Sequence, residues 1–408
     1  MAQLSPDGIK ALDQVVARAT RERKIPGFVF CASNVDEEIY LSSNGYKVVS
    51  DPSSGPVTPD TPFWICSQTK LIVHIAALQL IEQGRLSQET AVADFFPEFS
   101  NAVVIDDITS PASSYKPART IMRVEHLLNF TSGLYYPVQA VKNVSLPPAY
   151  LTPHSKSDPH AEFFRVMKGN LPGIPLKFEP GTNFAYGFSS DILGFIVENV
   201  TGMSLEEYCQ TNIFSPLKIK ASFYLTPGIA KDSITISYRN SDGTLEPMTD
   251  QVKLIERNPN EVSVFIGGIG IYTSLRDYLS LLRHLLQIHS GRLTIQGILS
   301  PQTVHELFVP ALPPEGLGSL QQFTDGYKDH PGNNQWSTAL AVTTSDWPGR
   351  RKKGSAFWSG WAGTFYFMDP TTGIAFVFGT QILPSRDPEV TKLYTELEET
   401  LYAGLKHE

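Results

Sequence analysis

The stretch Ser67-Gln68-Thr69-Lys70-Leu71-Ile72-Val73-His74-Ile75-Ala76-Ala77-Leu78-Gln79-Leu80-Ile81-Glu82-Gln83-Gly84 decides how this chain is read. Good helix formers follow Lys70, apolar residues recur at three- and four-residue spacing, and Gly84 stands where a helix would end. The pattern predicts a helix over 67–83, with Ser67 at its N-terminus and Lys70 one turn along on the same face. A hydroxyl, an amine and unpaired helix N–H groups then converge. A serine nucleophile needs those three things: a base for its proton and donors for the oxyanion that forms.

The S-x-x-K spacing recurs at Ser113-Ser114-Tyr115-Lys116 and at Ser215-Pro216-Leu217-Lys218. Pro117 steers Lys116 away from helical geometry, and Pro216 interrupts the other copy beside a chain turn. Only the copy at Ser67 heads a long helix.

The 408 residues suffice for one large domain or two lobes, and 41% hydrophobic with 18% charged residues is ordinary for a globular protein. Thirty Gly and thirty Pro imply many turns and long loops. A net charge of −8 argues against a nucleic-acid partner, and Arg350-Arg351-Lys352-Lys353 is expected to be a solvated turn before a strand. The first residues show no charged-then-apolar signal pattern, and no apolar run approaches a membrane span. Cys31, Cys66 and Cys209 are an odd number without metal-ligand spacing and read as reduced thiols. A cytoplasmic protein without a metal is expected. The sequons at Asn143 and Asn199 then carry little meaning.

A helix is expected over 5–24 with Ile9, Leu12, Val15 and Val16 on its buried face, followed by strands at 27–33 and 38–43. From 67 to about 210 the pattern is helical and loop-rich, with helices at 121–129, 159–168 and 189–209. Strand signals return at 233–238, 335–344, 363–368 and 373–379, with helices at 274–289 and 388–405. Strands at both ends imply an α+β fold in which residues 1–66 and 211–408 build one lobe from both termini. Residues 67–210 form an inserted, mainly helical lobe, and the site lies in the crevice between them.

Two further segments supply partners. In Phe178-Glu179-Pro180-Gly181-Thr182-Asn183-Phe184-Ala185-Tyr186-Gly187-Phe188-Ser189, Tyr186 stands on the loop before a helix that Ser189 or Ser190 caps. A tyrosine there is often plain packing; beside an ammonium, its phenol can relay a proton. In Phe357-Trp358-Ser359-Gly360-Trp361-Ala362-Gly363-Thr364, two strands meet through small residues, where a ligand can approach the backbone. The bland alternative is a tight hairpin with buried aromatics.

These segments, with Thr61-Pro62-Phe63, His126 to Leu134 and Gly267-Gly268-Ile269-Gly270, resemble the class C β-lactamase-like serine hydrolases. Within them the chain resembles the esterase and fungal transesterase branch, and the matches run in order over about residues 25 to 380. The resemblance implies a β-lactamase/transpeptidase-like fold, an antiparallel sheet flanked by helices with an inserted helical lobe. It implies Ser67 as nucleophile, Lys70 as its activating partner, Tyr186 as second acid/base, and the N–H groups of Ser67 and Trp361 as oxyanion hole. Trp358-Ser359-Gly360 takes the place of the family's Lys-Thr-Gly strand, and Phe188 that of an asparagine two residues after the tyrosine. Two polar anchors for a β-lactam are thus aromatic here. Phe188, Trp358, Ser359 and Gly360 are expected to bind an apolar acyl or polyketide substrate.

Other candidates read as structural. His74 lies on the Ser67/Lys70 face but deeper, His126 precedes a turn, and Cys66 is expected to be a buried inert thiol. His284 and His289 point to different helix faces, and the Gly267–Gly270 run lacks the context of a phosphate loop. The reading is serine-dependent acyl transfer through an acyl-enzyme, on a small-molecule ester or a free or carrier-bound thioester, with no cofactor. A carboxylesterase, a lactonase or a β-lactamase-type amide hydrolase shares the same residues. The alternative of another class is an inactive binding protein on this scaffold, and the loops 137–175 and 311–334 are expected to shape the pocket.

Overall fold

Strands from opposite ends of the chain lie side by side in one antiparallel sheet. The computed structural model describes residues 2–110, 114–137, 145–249, 251–293, 297–324 and 334–406. In chain order the strands are β1 (Gly27–Ser33), β2 (Glu38–Val48), β3 (Asp51–Pro56), β4 (Asn334–Trp336), β5 (Ala341–Thr343), β6 (Ala356–Gly360), β7 (Thr364–Asp369) and β8 (Ile374–Gly379). Across the sheet they run β4-β5-β6-β7-β8-β1-β2-β3. The seam between the termini is β1 against β8, with Phe30 opposite Phe378 and Ala32 opposite Phe376.

The side-chain period of two distributes aromatics to both faces. On β7, Phe365 stacks on Tyr394 of the C-terminal helix at a centroid distance of 4.4 Å, while its neighbour Tyr366 meets Tyr278 at 5.1 Å on the other face. Five helices matter for the site: α1 (Pro6–Glu22), α2 (Thr69–Glu82), α3 (Ser189–Thr201), α4 (Leu275–His289) and α5 (Pro388–Ala403). Helices α1 and α5 pack together, α4 packs on β8 and β1, and α2 packs on α3. Ser5 caps α1 by accepting from the Gly8 N–H at 3.0 Å, and Pro6 occupies its first turn.

Several expectations need correction. Ile9 is 41% exposed, because the first turn of α1 presents Gly8 inward and the Ser5 N–H is tied to the Gly404 carbonyl at the end of α5. The strand expected at 233–238 is Ser237–Arg239, because Ile234 and Thr235 donate single N–H groups to two different segments, to the Pro62 and Lys47 carbonyls, and form no continuous ladder. The segment 335–344 folds as a hairpin, turning where the Ser337 N–H donates to the Leu340 carbonyl. The helix expected at 189–209 breaks at Gly202, and Ser204 caps a second helix, Leu205–Cys209.

The basic run is not solvated at its start. Arg350 and Arg351 are buried, and both bind Glu398 of α5 at 2.6 Å. The Arg351 guanidinium also lies 4.1 Å from the Phe367 ring centroid. Burial alone would push the Glu398 carboxyl up, but Arg351 and Arg350 hold it below the usual range. Lys352, by contrast, makes a half-exposed pair with Asp346. Removing one partner of a buried ion pair leaves uncompensated charge, at a cost of about 3–5 kcal/mol. Glu398→Ala is therefore expected to lower the denaturation midpoint steeply, whereas Lys352→Ala shifts it by less than ~1 kcal/mol. Equal small shifts would overturn this account of the basic run.

Candidate active site

Short strand Pro62–Trp64 delivers the chain to Ser67 through Cys66, whose φ of 49° is left-handed at a residue with a side chain. Such strain, of order 1–3 kcal/mol, persists only where neighbours over-determine it. Here they do: the Ile65 N–H donates to Ile271, the Ile271 N–H donates to Thr69 Oγ1 at 3.0 Å, and Tyr278 Oη donates to the Gln68 carbonyl at 3.1 Å. Residues 66–68 form a 3-10 turn and α2 begins at Thr69, so Ser67 sits immediately before the helix proper. The Cys66 thiol is buried and pushed up to about 12, so it stays protonated.

Lys70 is 1% exposed and points back along α2. Its Nζ lies 3.3 Å from Ser67 Oγ, 3.2 Å from Tyr136 Oη and 2.8 Å from the Gly268 carbonyl oxygen. Tyr186 is beside it, but turned: Nζ lies 4.7 Å from the Tyr186 ring centroid, and the Tyr186 hydroxyl accepts from Trp358 Nε1 at 2.9 Å. Tyr186, expected beside the amine, thus presents its ring to it, and the hydroxyl that Lys70 bonds is that of Tyr136.

Ser67 is half-buried and opens into a cavity of about 1160 Å³, whose wall includes Tyr136, Tyr186, Phe323, Trp358, Ser359 and Trp361. Strand β6 forms one side. A Cβ on Gly360 would sit 2.5 Å from the Ile65 carbonyl, so only glycine lets β6 come this close to the Ser67 turn. Trp361, just past β6, packs edge-on to Trp64 at 6.0 Å and lines the same cavity. Phe188 is corrected: it is 4% exposed and packs behind the wall, 5.0 Å from Tyr136 and 5.6 Å from Tyr150. It shapes the site through the phenols and not by lining it.

His74 is buried and bonded to Ser190 Oγ at 3.0 Å. Its ring stacks on Phe130, which stacks in turn on Tyr186, each at 9°. The histidine therefore braces the tyrosine through one aromatic ring. His126 Nδ1 accepts the Arg123 N–H at 3.1 Å, a helix-capping role. The rival S-x-x-K strings lie apart: Lys116 is on the exposed strand Tyr115–Pro117, and Lys218 turns out of a three-residue helix at φ 56°. Ser113 lies outside the described residues, as do Asn143 and parts of the 137–175 and 311–334 loops. Tyr150 and Phe323, from the described parts of those loops, line the cavity.

A model of the Beta-lactamase family matches residues 12–399. The chain belongs to the beta-lactamase family. Among its relatives, the monacolin J acid methylbutanoyltransferase of Aspergillus terreus is 28% identical, over 98% of this chain and 97% of that protein. A lovastatin esterase of Penicillium rubens is 27% identical, over 76% of this chain and 74% of its own length. Among solved structures, unliganded simvastatin synthase from Aspergillus terreus superposes with a TM-score of 0.78 at 26% identity, covering 98% of this chain and 99% of that one. The β-lactamase/transpeptidase-like α+β fold expected from the sequence is thus the observed one. No helix among the described residues is long and apolar enough to cross a membrane.

Sequence reading missed Tyr136, Tyr150, Asp191 and the Gly268 carbonyl. One signal was present: Asp191 is a carboxylate immediately before the apolar run Ile192-Leu193-Gly194-Phe195-Ile196-Val197, where burial is to be expected. The tyrosines have no such mark, because nothing local ties 136 or 150 to residue 70.

Burial first, and Lys70 second, lower His74 to about 3, so the folded state holds it neutral. Unfolded, it takes up a proton below about 6.5. With the folded value depressed, its contribution to stability is complete above about 6.5 and is lost as the pH falls toward 3. His74→Gln should flatten stability against pH between 6 and 4 by up to about 1.4 kcal/mol per pH unit, read by denaturant titration. An unchanged slope would mean that His74 is charged in the fold.

Proposed function

We propose that this protein is a serine acyltransferase that forms an acyl-enzyme on Ser67 and passes the acyl group to an alcohol, with hydrolysis as the competing outcome. The observation that carries it is Lys70 Nζ 3.3 Å from Ser67 Oγ, at the floor of an aromatic-walled cavity. The site would lie in the crevice between a lobe of residues 1–66 with 211–408 and a mainly helical lobe of 67–210.

In this reading a neutral Lys70 takes the Ser67 proton as Oγ bonds the substrate carbonyl carbon. The carbonyl oxygen becomes an oxyanion held by the N–H groups of Ser67 and Trp361. Collapse expels the leaving alcohol or thiol, which receives a proton from Tyr186 Oη, fixed by Trp358 Nε1. The acceptor alcohol then enters, gives its proton to the Tyr186 oxygen and takes the acyl group. Lys70 finally returns its proton to Ser67 Oγ.

Trp358 decides the substrate class. It offers an indole where a lysine would hold a β-lactam carboxylate, and Phe323 and Trp336 flank it at centroid distances of 6.2 and 4.6 Å. Such a wall favours an apolar acyl chain or a fused-ring alcohol over an anionic amide. The transferase and esterase relatives, named for monacolin J acid and for lovastatin, support that class. The acyl donor is a small ester or thioester, free or carried on a partner. Three free, buried thiols fit a cytosolic setting.

Incubation with an activated ester should add one acyl mass to the wild type and none to Ser67→Ala. Adduct at that site in the variant would sink the assignment. Tyr186→Phe is expected to slow turnover by about 10²-fold or more. With an acyl thioester, adding a hydrophobic alcohol should divert product from free acid to ester; unchanged acid release would favour the esterase reading. A wild type that a fluorophosphonate leaves unlabelled would instead indicate a binding protein on this scaffold.

A further inference from the structure

Behind Lys70 runs a chain of hydrogen bonds that the acyl-transfer chemistry above does not use. Tyr136 Oη lies 3.2 Å from Lys70 Nζ and 2.9 Å from Tyr150 Oη, and Tyr150 Oη donates to Asp191 Oδ2 at 2.7 Å. Asp191, in the first turn of α3, is fully buried, and its Oδ1 accepts the Gly268 N–H at 2.7 Å. The Gly268 carbonyl closes the loop by accepting from Lys70 at 2.8 Å. The loop is tight: a Cβ at Gly268 would sit 2.5 Å from Tyr150 Oη and 3.1 Å from both Asp191 oxygens.

Donor and acceptor bookkeeping gives this chain a direction. An ionised carboxylate only accepts, so Tyr150 must spend its one O–H proton on Asp191. Its oxygen then takes the proton of Tyr136, and the Tyr136 oxygen takes one from Lys70. The Gly268 carbonyl claims a second Lys70 N–H, since it too can only accept. A neutral amine has two N–H groups and one lone pair, so the lone pair is left for the third neighbour, Ser67. We propose that Asp191, through Tyr150 and Tyr136, orients Lys70 so that its only proton-accepting position faces the Ser67 hydroxyl. This rests on the acyl-transfer reading and makes Asp191 a positioning residue. The proton step is balanced: the O–H bond of Ser67 breaks, an N–H bond forms on the Lys70 lone pair, and no proton leaves the loop.

The other groups around Lys70 do not compete for this role. Tyr186 offers its ring face, the Cys66 thiol stays protonated, and His74, which faces Ser190 on α3, is neutral. Burial pushes the Asp191 carboxyl up to about 6, against the hydrogen bonds it accepts from Tyr150 and the Gly268 N–H, so mild acid protonates it and removes its directing effect.

Asp191→Asn tests the direction. With its oxygen kept on the Gly268 N–H, the new amide can only donate to Tyr150. The chain reverses, and the Tyr136 proton then occupies the Lys70 lone pair. Fluorophosphonate labelling of Ser67 at pH 7.5 should slow about 100-fold in D191N, with the half-saturating probe concentration little changed. Adding Tyr136→Phe removes the blocking proton, so the D191N/Y136F protein should label at least about tenfold faster than D191N alone. A merely structural aspartate predicts additive losses; a double variant no faster than D191N, or a D191N protein as fast as wild type, overturns the proposal. If D191N does not fold, Y136F decides: the acid limb of wild-type labelling, expected near pH 6, should move by more than about half a unit, and an unmoved limb overturns the proposal. An unlabelled wild type fails the acyl-transfer reading itself, and this inference with it. Labelled wild type with unaffected variants fails the inference alone.

Discussion

A lysine taken out of water has three bonding positions to satisfy, and most of this site follows from how Lys70 satisfies them. At 1% exposure, every contact that water would have made must come from protein. The fold brings three partners from three places: Ser67 from the 3-10 turn that leads into α2, Tyr136 from the loop after Gly133, and the Gly268 carbonyl from the segment before Tyr272–Ser274. Each partner imposes a constraint on its own segment. The Ser67 turn must be strained at Cys66, α2 must pack on α3, and Gly268 must lack a side chain. A misplaced element would leave the buried amine with an unpaired bonding position, so the contact between Lys70 and Ser67 also selects the fold's local geometry.

The aromatic wall is the second half of the same design. Phe130 lies between His74 and Tyr186, Trp358 holds the Tyr186 hydroxyl, and Trp336 sits edge-on to Trp358. A phenol gripped at its ring and its oxygen has little freedom left, which preserves geometry at the reacting atoms. In the proposed reaction the same rings would limit the access of water to an acyl group on Ser67. That matters for an enzyme whose two products differ only in whether water or an alcohol arrives first.

How much of this was legible depends on whether the signal was local. The Ser67–Lys70 pair, α2 and the strands at 27–33, 364–369 and 374–379 were readable because periodicity and spacing act over a few residues. Arg350 and Arg351 were misread because their burial depends on Glu398, nearly fifty positions away, and a run of four basic residues looks the same with or without it. Phe188 was misplaced for a related reason. A motif position says which residue stands near the tyrosine, not whether a second ring will stand in front of it.

Tyr136, Tyr150 and Asp191 illustrate the limit most sharply. The two tyrosines are unremarkable in their own segments, and the chain they form with Asp191 exists only because α3, the 145–151 segment and the Gly268 backbone meet. Polar groups buried this deeply are costly when half-satisfied and directional when fully satisfied. A single carboxylate at the end of a row of hydroxyls fixes the sense of every bond in the row, because it is the one member that cannot donate. The lysine at the other end is thereby told which neighbour may give it a proton. An S-x-x-K motif says that a serine and an amine are close; the buried acid three bonds away determines which way the proton between them can go.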